Sequence, residues 1–330
     1  MFNFDEKAFL ERHKGALKIR RDVEKAVDAQ YKRGFKNVFL IGVGGSTTSH
    51  MEWEPFLKTN SAIDFRIERA AEFILCGNKR FSKDSLVFLS SVTGDTPEII
   101  KVAEYVREKG ATIIAFTGKA DCPLAKLADY PIVNIHGNTY FWFSVLLRLL
   151  YLHKEFPEYN KFFKELENLP KALVEVQKAA DAKAEEFAKK YCDEPIHYFI
   201  GSGNMWGWTF CYAMCILEEM FWMRTKSVHA SDFFHGTLEI IERDISVVLF
   251  KGEDESRPLA DRVENFVPRI SAKFTVFDTK DYALKGISPE FRKYISPLVM
   301  EAVCERITVH LEDALKHPKQ IRRYYRRLDY

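Results

Sequence analysis

No charge of one sign dominates this chain: 49 lysines and arginines stand against 47 aspartates and glutamates in 330 residues, a formal net charge of +2. Nucleic-acid-binding chains usually carry a strong basic excess, so that class of partner is set aside. The one dense basic cluster, Arg322, Arg323, Arg326 and Arg327, is local and reads as a solvated or interface face of the terminal segment. Long hydrophobic runs are missing too. The longest, such as 141–152, is interrupted by Arg148 and is too short to span a bilayer, so no membrane partner is expected. The opening residues Met1–Glu6 are acidic and lack an extended apolar core, which predicts no secretory signal. Cysteine is scarce, six residues with no Cys-x-x-Cys pair. Cys211 and Cys215 share a helix face, but no nearby His or Cys completes a zinc-like set. Reduced thiols and a cytoplasmic protein follow as expectations.

What is present is an alternation of strands and helices. Residues 5–33 are charged with helical periodicity and stop at Gly34, a natural C-cap. Val38-Phe39-Leu40-Ile41 predicts a buried strand, and further strands are expected at 64–67, 86–90, 112–116 and 131–135. An apolar helix over 138–154 and a long charged helix over 161–190 come next. The pattern then restarts. Tyr198-Phe199-Ile200-Gly201-Ser202-Gly203-Asn204-Met205 echoes Phe39-Leu40-Ile41-Gly42-Val43-Gly44-Gly45-Ser46, about 160 residues on. Strands near 246–250 and 273–277 and helices near 257–267 and 289–316 complete the second half. Two domains suit the length, on a prior of roughly 150 residues each, and strands alternating with helices imply parallel sheets covered on both faces.

The stretch with most chemistry is Ser90-Ser91-Val92-Thr93-Gly94-Asp95-Thr96-Pro97-Glu98, between a buried strand and an amphipathic helix. Pro97 suits the first helical turn and Thr96 is placed to cap it. A hydroxyl-rich turn entering a helix N-terminus favours an anion. No Walker lysine follows, so neutral donors would hold the phosphate of a small molecule rather than of a nucleotide. An ordinary capped strand–helix turn has the same composition. The Gly42–Ser46 loop lacks the third glycine of a dinucleotide fingerprint, but its Ser46-Thr47-Thr48 end can also present hydroxyls to an anion.

Ile41–Ser46, Ser91–Glu98 and 117–129 with Pro123-Leu124-Ala125 together resemble the sugar isomerase (SIS) domain, whose hydroxyl-rich loop has the form S-x-S-G-x-T-x-E. The second half carries Glu218-Glu219 and then Ser231-Asp232-Phe233-Phe234-His235-Gly236. This is similar to the E…G-E-F-x-H-G pattern of tandem-SIS enzymes, with 16 residues from Glu219 to His235. The resemblance covers roughly residues 30 to 330 and implies an α/β chain of two doubly wound parallel-sheet SIS domains, flavodoxin-like three-layer αβα units from an internal duplication. The implied organisation is an N-terminal helical segment (1–34), a first SIS domain (35–155), a linking helix (156–194) and a second SIS domain with a C-terminal tail (195–330).

Within tandem-SIS enzymes the chain resembles the fructosamine-6-phosphate deglycases, on Asp254-Glu255-Ser256-Arg257, the Phe-Phe-His-Gly variant and the tail ending Asp329-Tyr330. Those enzymes split a 6-phosphorylated Amadori compound, such as fructoselysine 6-phosphate, into an aldose 6-phosphate and a free amine or amino acid. The related hexosamine-phosphate synthase uses lysines where this chain has Ile216 and Arg323; neither can form a Schiff base. The resemblance implies Glu219 and His235 as catalytic acid–base groups. It implies Gly45, Ser46, Ser91, Val92, Thr93, Gly94 and Thr96 as phosphate-binding residues, a sugar-phosphate substrate, no metal or other cofactor, and a homodimer with the histidine loop at its interface. Glu219 sits among Cys215-Ile216-Leu217 and Met220-Phe221-Trp222, and a carboxylate there can carry a carbon-bound proton. His235 offers an imidazole, which exchanges protons near neutral pH. His229 reads as structural. Val43-Gly44-Gly45, Thr93, Asp232 and Thr237 depart from the family pattern. Two other functions use the same loops: an aldose–ketose sugar-phosphate isomerase, and a non-catalytic sugar-phosphate-binding regulator, which would not need the Glu219–His235 pair.

Overall fold

The apolar runs become strands with both faces buried, as helices cover both sides of each sheet. The computed structural model describes residues 1–329, which separate into two compact units, residues 7–170 and residues 1–6 with 171–329.

In the first unit, β1 (Asn37–Gly42), β2 (Phe65–Arg69), β3 (Ser85–Ser91), β4 (Thr112–Thr117) and β5 (Tyr130–Val133) form a parallel sheet ordered β2-β1-β3-β4-β5. That is the flavodoxin-like doubly wound order. Side chains alternate across it. Phe39, Ile41, Val87, Leu89, Ile113 and Ala115 pack on one face with Phe73, Ile99, Val102, Val106 and Leu124 from three helices. On the other face Phe88 and Phe116 meet Phe141 of the helix Asn138–Leu152. Each such fully buried side chain contributes about 1.5–3 kcal/mol. Arg148 interrupts this apolar helix because it clamps Asp28 of the helix Arg20–Arg33 through two 2.7 Å hydrogen bonds.

In the second unit, β6 (His197–Gly201), β7 (Thr225–His229), β8 (Ser246–Lys251) and β9 (Lys273–Asp278) form a parallel sheet ordered β7-β6-β8-β9. It repeats the first order without the last strand. Tyr198, Ile200, Val247 and Leu249 pack against Phe233, Ala260, Val263 and Val267. On the other face Phe199 and Phe250 meet Tyr212. The fully buried Arg306, on the helix Pro289–Leu315, donates to Asp181 and to the carbonyl of Phe2, tying the first residues of the chain into this unit.

Three expected elements divide or were missed. The helical run over 5–33 is two helices, Glu6–Leu17 and Arg20–Arg33, parted by a turn at Lys18-Ile19, although Gly34 does end it at φ 84°. The long helix over 161–190 is two, Tyr159–Leu166 and Leu169–Tyr191. Strand β7 was not expected: Thr-Lys-Ser-Val-His is too polar to announce itself, and it holds the sheet edge. Tyr330 of the expected tail lies outside the described residues.

Candidate functional site

The first unit builds a cradle at the carboxyl ends of β1 and β3, where doubly wound sheets bind ligands. A Cβ on Gly42 would stand 2.7 Å from the amide nitrogen of Thr47 and 2.9 Å from the His50 ring, so only glycine lets the chain turn so tightly. Gly44 follows at φ 53°, ψ −127° and begins the helix Gly45–Asn60; the space where its Cβ would point is open to 4 Å. Ser46 Oγ donates to the carbonyl of Ser90 at 2.8 Å, tying this loop to the next, so its proton is engaged within the protein.

The hydroxyl loop closes over Gly94 at φ 70°, whose missing Cβ would collide with Cys122 Sγ at 2.2 Å. The buried Ser91 Oγ accepts from the Gly94 amide at 3.1 Å and lies 2.9 Å from Thr96 Oγ1 and 3.4 Å from Thr93 Oγ1. Thr96 holds the N-cap position before Pro97 but makes no side-chain capping bond; its hydroxyl joins the Ser91 cluster instead. The N-cap side chain therefore leaves the first-turn amides uncapped, as an anion site requires. Val92 is exposed on the rim, and its carbonyl accepts from Gly118.

Beneath the cradle lies a polar cluster of which the sequence marked only Thr47 and Ser90. Thr47 Oγ1, both ring nitrogens of His50, Ser90 Oγ, Asn138 Oδ1 and Trp142 Nε1 are buried without hydrogen-bond partners among the described residues. Burial holds the His50 imidazole down at about 3, so it is neutral near physiological pH.

The second unit repeats this turn: Gly203 has φ 56°, ψ −133°. Here the space is filled. A Cβ on Gly203 would meet Ser256 Oγ at 2.1 Å and Asp254 Oδ2 at 2.3 Å. Asp254 accepts from the Asn204 amide at 2.6 Å and the Ser256 amide at 3.0 Å.

The helix starting at Asn204 changes character along its length. Asn204–Cys211 is α-helical, Tyr212–Glu218 is π-helical, and Glu219–Phe221 closes it. Such π segments often mark functional sites. Trp222 ends the helix in the left-handed region at φ 58°, a rare place for a bulky residue. Glu218 accepts from Thr225 Oγ1, at the start of β7. Glu219 lines a cavity of about 450 Å³ with Trp222, Arg224, Arg322, Arg323 and Tyr324 among its walls. Its carboxylate is not set among apolar groups: Arg322 Nε donates to Oε1 at 2.9 Å. His235 lies on the turn Asp232–His235, beyond the other end of β7. It is exposed, makes no hydrogen bond among the described residues, and does not line the Glu219 cavity.

Among the described residues no helix is long and apolar enough to cross a membrane. A model of the SIS domain matches residues 33–153. Fructosamine deglycase FrlB of Bacillus subtilis (strain 168) is 32% identical over 324 residues, covering 95% of this chain and 98% of that protein. The fructoselysine 6-phosphate deglycase of Escherichia coli (strain K12) is 24% identical over 312 residues, covering 92% and 89%. A solved candidate phosphosugar isomerase from Bacillus subtilis superposes with a TM-score of 0.89 at 29% identity, covering 96% of this chain and 99% of that one. The chain therefore belongs to the SIS-domain family of phosphosugar proteins, beside the fructosamine and fructoselysine 6-phosphate deglycases, and is an enzyme of that type.

Proposed function

We propose that this enzyme hydrolyses a 6-phosphorylated Amadori compound to an aldose 6-phosphate and a free amine. The observation that carries this reading is Glu219, a partly exposed carboxylate in a cavity of about 450 Å³. In the opened sugar, C2 is a ketone and C1 bears the amine. Glu219 removes a proton from C1, giving an enaminol, and returns it to C2, giving an imine at C1. Water adds to C1, the C1–N bond breaks, and the amine leaves with a proton. The imidazole of His235 moves protons at the sugar oxygens. With Ile216 and Arg323 in place of lysines, no enzyme-bound imine intervenes at those positions.

The phosphate is held by Ser91, Thr93 and Thr96, the loop backbone from Val92 to Gly94, and Gly45, with Ser46 fixing the two loops together. The open space beside Gly44 supports this placement. The enzyme works as a homodimer in which His235 completes the partner's site; its exposure and its absence from the Glu219 cavity support that arrangement. A cytoplasmic location fits a phosphorylated metabolite as substrate.

Incubation with several 6-phosphorylated Amadori compounds tests the reading. Aldose 6-phosphate and free amine are expected in equal amounts. Aldose–ketose interconversion without amine release would identify an isomerase instead.

A further inference from the structure

The buried polar atoms under the first cradle take part in no step of the proposed chemistry, yet they are gathered in one place, all within the unit of residues 7–170. Thr47 and His50 lie three residues apart on the helix Gly45–Asn60, and Asn138 and Trp142 four apart on the helix Asn138–Leu152, so each pair shares a face. Ser90 follows Phe88 by two residues on β3. Phe88 meets Phe141, so Ser90 also points to the side of the sheet that the second of these helices covers. The two helices touch here. The rings of His50 and Trp142 stand at 82° with centres 4.5 Å apart, and Asn138 Nδ2 donates to Ser49 Oγ at 3.4 Å. His50 is 0% exposed, Trp142 1% and Ser90 2%. Six polar atoms in this place have no hydrogen-bond partner among the described residues: Thr47 Oγ1, the two ring nitrogens of His50, Ser90 Oγ, Asn138 Oδ1 and Trp142 Nε1. A buried donor or acceptor left alone loses its hydration with nothing in return.

The six atoms define what can pair with them. Trp142 Nε1 and one nitrogen of the neutral His50 ring only donate. Asn138 Oδ1 and the other His50 nitrogen only accept, and the two hydroxyls do either. A cation cannot accept from the first pair, and an anion cannot donate to the second. Water does both. A buried water makes about three hydrogen bonds, so six atoms correspond to roughly two waters. We propose that Thr47, His50, Ser90, Asn138 and Trp142 enclose a site for ordered water, and that this water makes His50 a positioning residue for the two loops above. The site reaches both loops from below. Thr47 follows Ser46; Ser90 precedes Ser91, and its carbonyl accepts from Ser46 Oγ at 2.8 Å. The Cε1 atom of His50 lies 2.9 Å from where a Cβ on Gly42 would stand, so a shift of the ring bears on the turn directly. Water bonded to Thr47 and Ser90 therefore sets the spacing between the loops. The effect on phosphate rests on the reading of these loops as its cradle; the water itself does not.

Crystal structures of the wild-type enzyme, His50→Leu and His50→Gln, at a resolution that shows ordered water, test the site. In the wild type, water is expected within about 2.7–3.2 Å of Trp142 Nε1, of a His50 nitrogen and of at least one of the two hydroxyls. His50→Leu should lose it, and the amide of His50→Gln should keep it. Side chains bonded directly to one another, or a ligand at about 2.3–2.6 Å as for a coordinated cation, would overturn the proposal. Binding and kinetics test the positioning. In His50→Leu the dissociation constant of glucose 6-phosphate, and KM for a 6-phosphorylated Amadori compound, should rise about threefold or more, with kcat within about twofold of wild type. His50→Gln should restore both. Thr47→Val, which removes one hydroxyl at similar volume, should shift both constants the same way and serves if His50→Leu does not fold. A lowered melting temperature with both constants unchanged would leave His50 a packing residue and overturn its positioning role. Water present in a wild-type enzyme that binds no glucose 6-phosphate would overturn the phosphate reading and leave the water site standing.

Discussion

The two halves of this chain make the same turn and do opposite things with it. Gly44 and Gly203 share nearly the same backbone angles, φ 53°, ψ −127° and φ 56°, ψ −133°, at the same step from strand to helix. Beside Gly44 there is open space; beside Gly203 stand Asp254 and Ser256. The loop after β3 offers hydroxyls and uncapped amides. The loop after β8, its counterpart in strand order, brings its own carboxylate to the Asn204 amide. A helix N-terminus attracts an anion in either case. One repeat leaves that place open, and the other fills it from within and carries Glu219 at the end of its helix. Duplication thus yields an open half and a filled half from one local geometry.

The largest effect should come from the half that carries Glu219. Glu219→Gln keeps the shape of the side chain and removes the proton acceptor, so turnover should fall by roughly 10²–10⁴ with the fold intact. Mixing this variant with His235→Ala and allowing subunits to exchange should restore at most about half the activity of each mixed dimer, since one of its two sites would then be intact. Wild-type turnover by Glu219→Gln would shift the role to a neighbour such as Glu218.

Asp254→Ala breaks the comparison directly. It strands the amides of Asn204 and Ser256, and should lower stability by about 1–3 kcal/mol, read as a lower melting temperature, with little change in KM. A raised KM at constant stability would mean that the second cradle also serves substrate.

Ser91→Ala and Thr96→Ala should do the reverse. Each should weaken binding of the phosphorylated substrate by about 1–2 kcal/mol, seen as a raised KM. Equal kcat/KM on phosphorylated and unphosphorylated sugar adducts would remove the phosphate from this loop.

The smallest effect concerns His50. Burial lowers its folded-state value from 6.5 to about 3. The unfolded chain therefore binds its proton first as pH falls, and the folded state loses stability from pH 6.5 downward. Between pH 7 and pH 5.5 this amounts to about 1 kcal/mol. His50→Leu should flatten the acid limb of the stability profile over that interval. An unchanged slope would place the acid sensitivity in other buried histidines, such as His13, also lowered to about 3, or His197, lowered to about 4.

Much of the fold was legible because the central strands are apolar on both faces: Phe39-Leu40-Ile41, Leu86-Val87-Phe88-Leu89 and Val247-Val248-Leu249-Phe250 can be little else. Strand β7 was not, because an edge strand need not be apolar. The break at Lys18-Ile19 carries neither glycine nor proline to signal it. The hydroxyls of the first cradle stood out by composition. Asp254 stood out only as part of a motif, since no local pattern says which carboxylate of Glu253-Asp254-Glu255 folds back onto an amide. His50 looked like any helix residue; its meaning comes from Gly42, on the strand just before its helix, and from Trp142, which approaches it from a distant part of the chain.

The π-helical stretch Tyr212–Glu218 sets a phase between two fixed points, the Asn204 amide held by Asp254 and the carboxylate in the cavity. Side chains advance by roughly 100° per residue around an α-helix. The same residues wound as an α-helix would turn everything beyond them by about one such step, with the sheet and both loops left as they are. The wider turn thus selects which of two adjacent glutamates meets Arg322 and which meets Thr225.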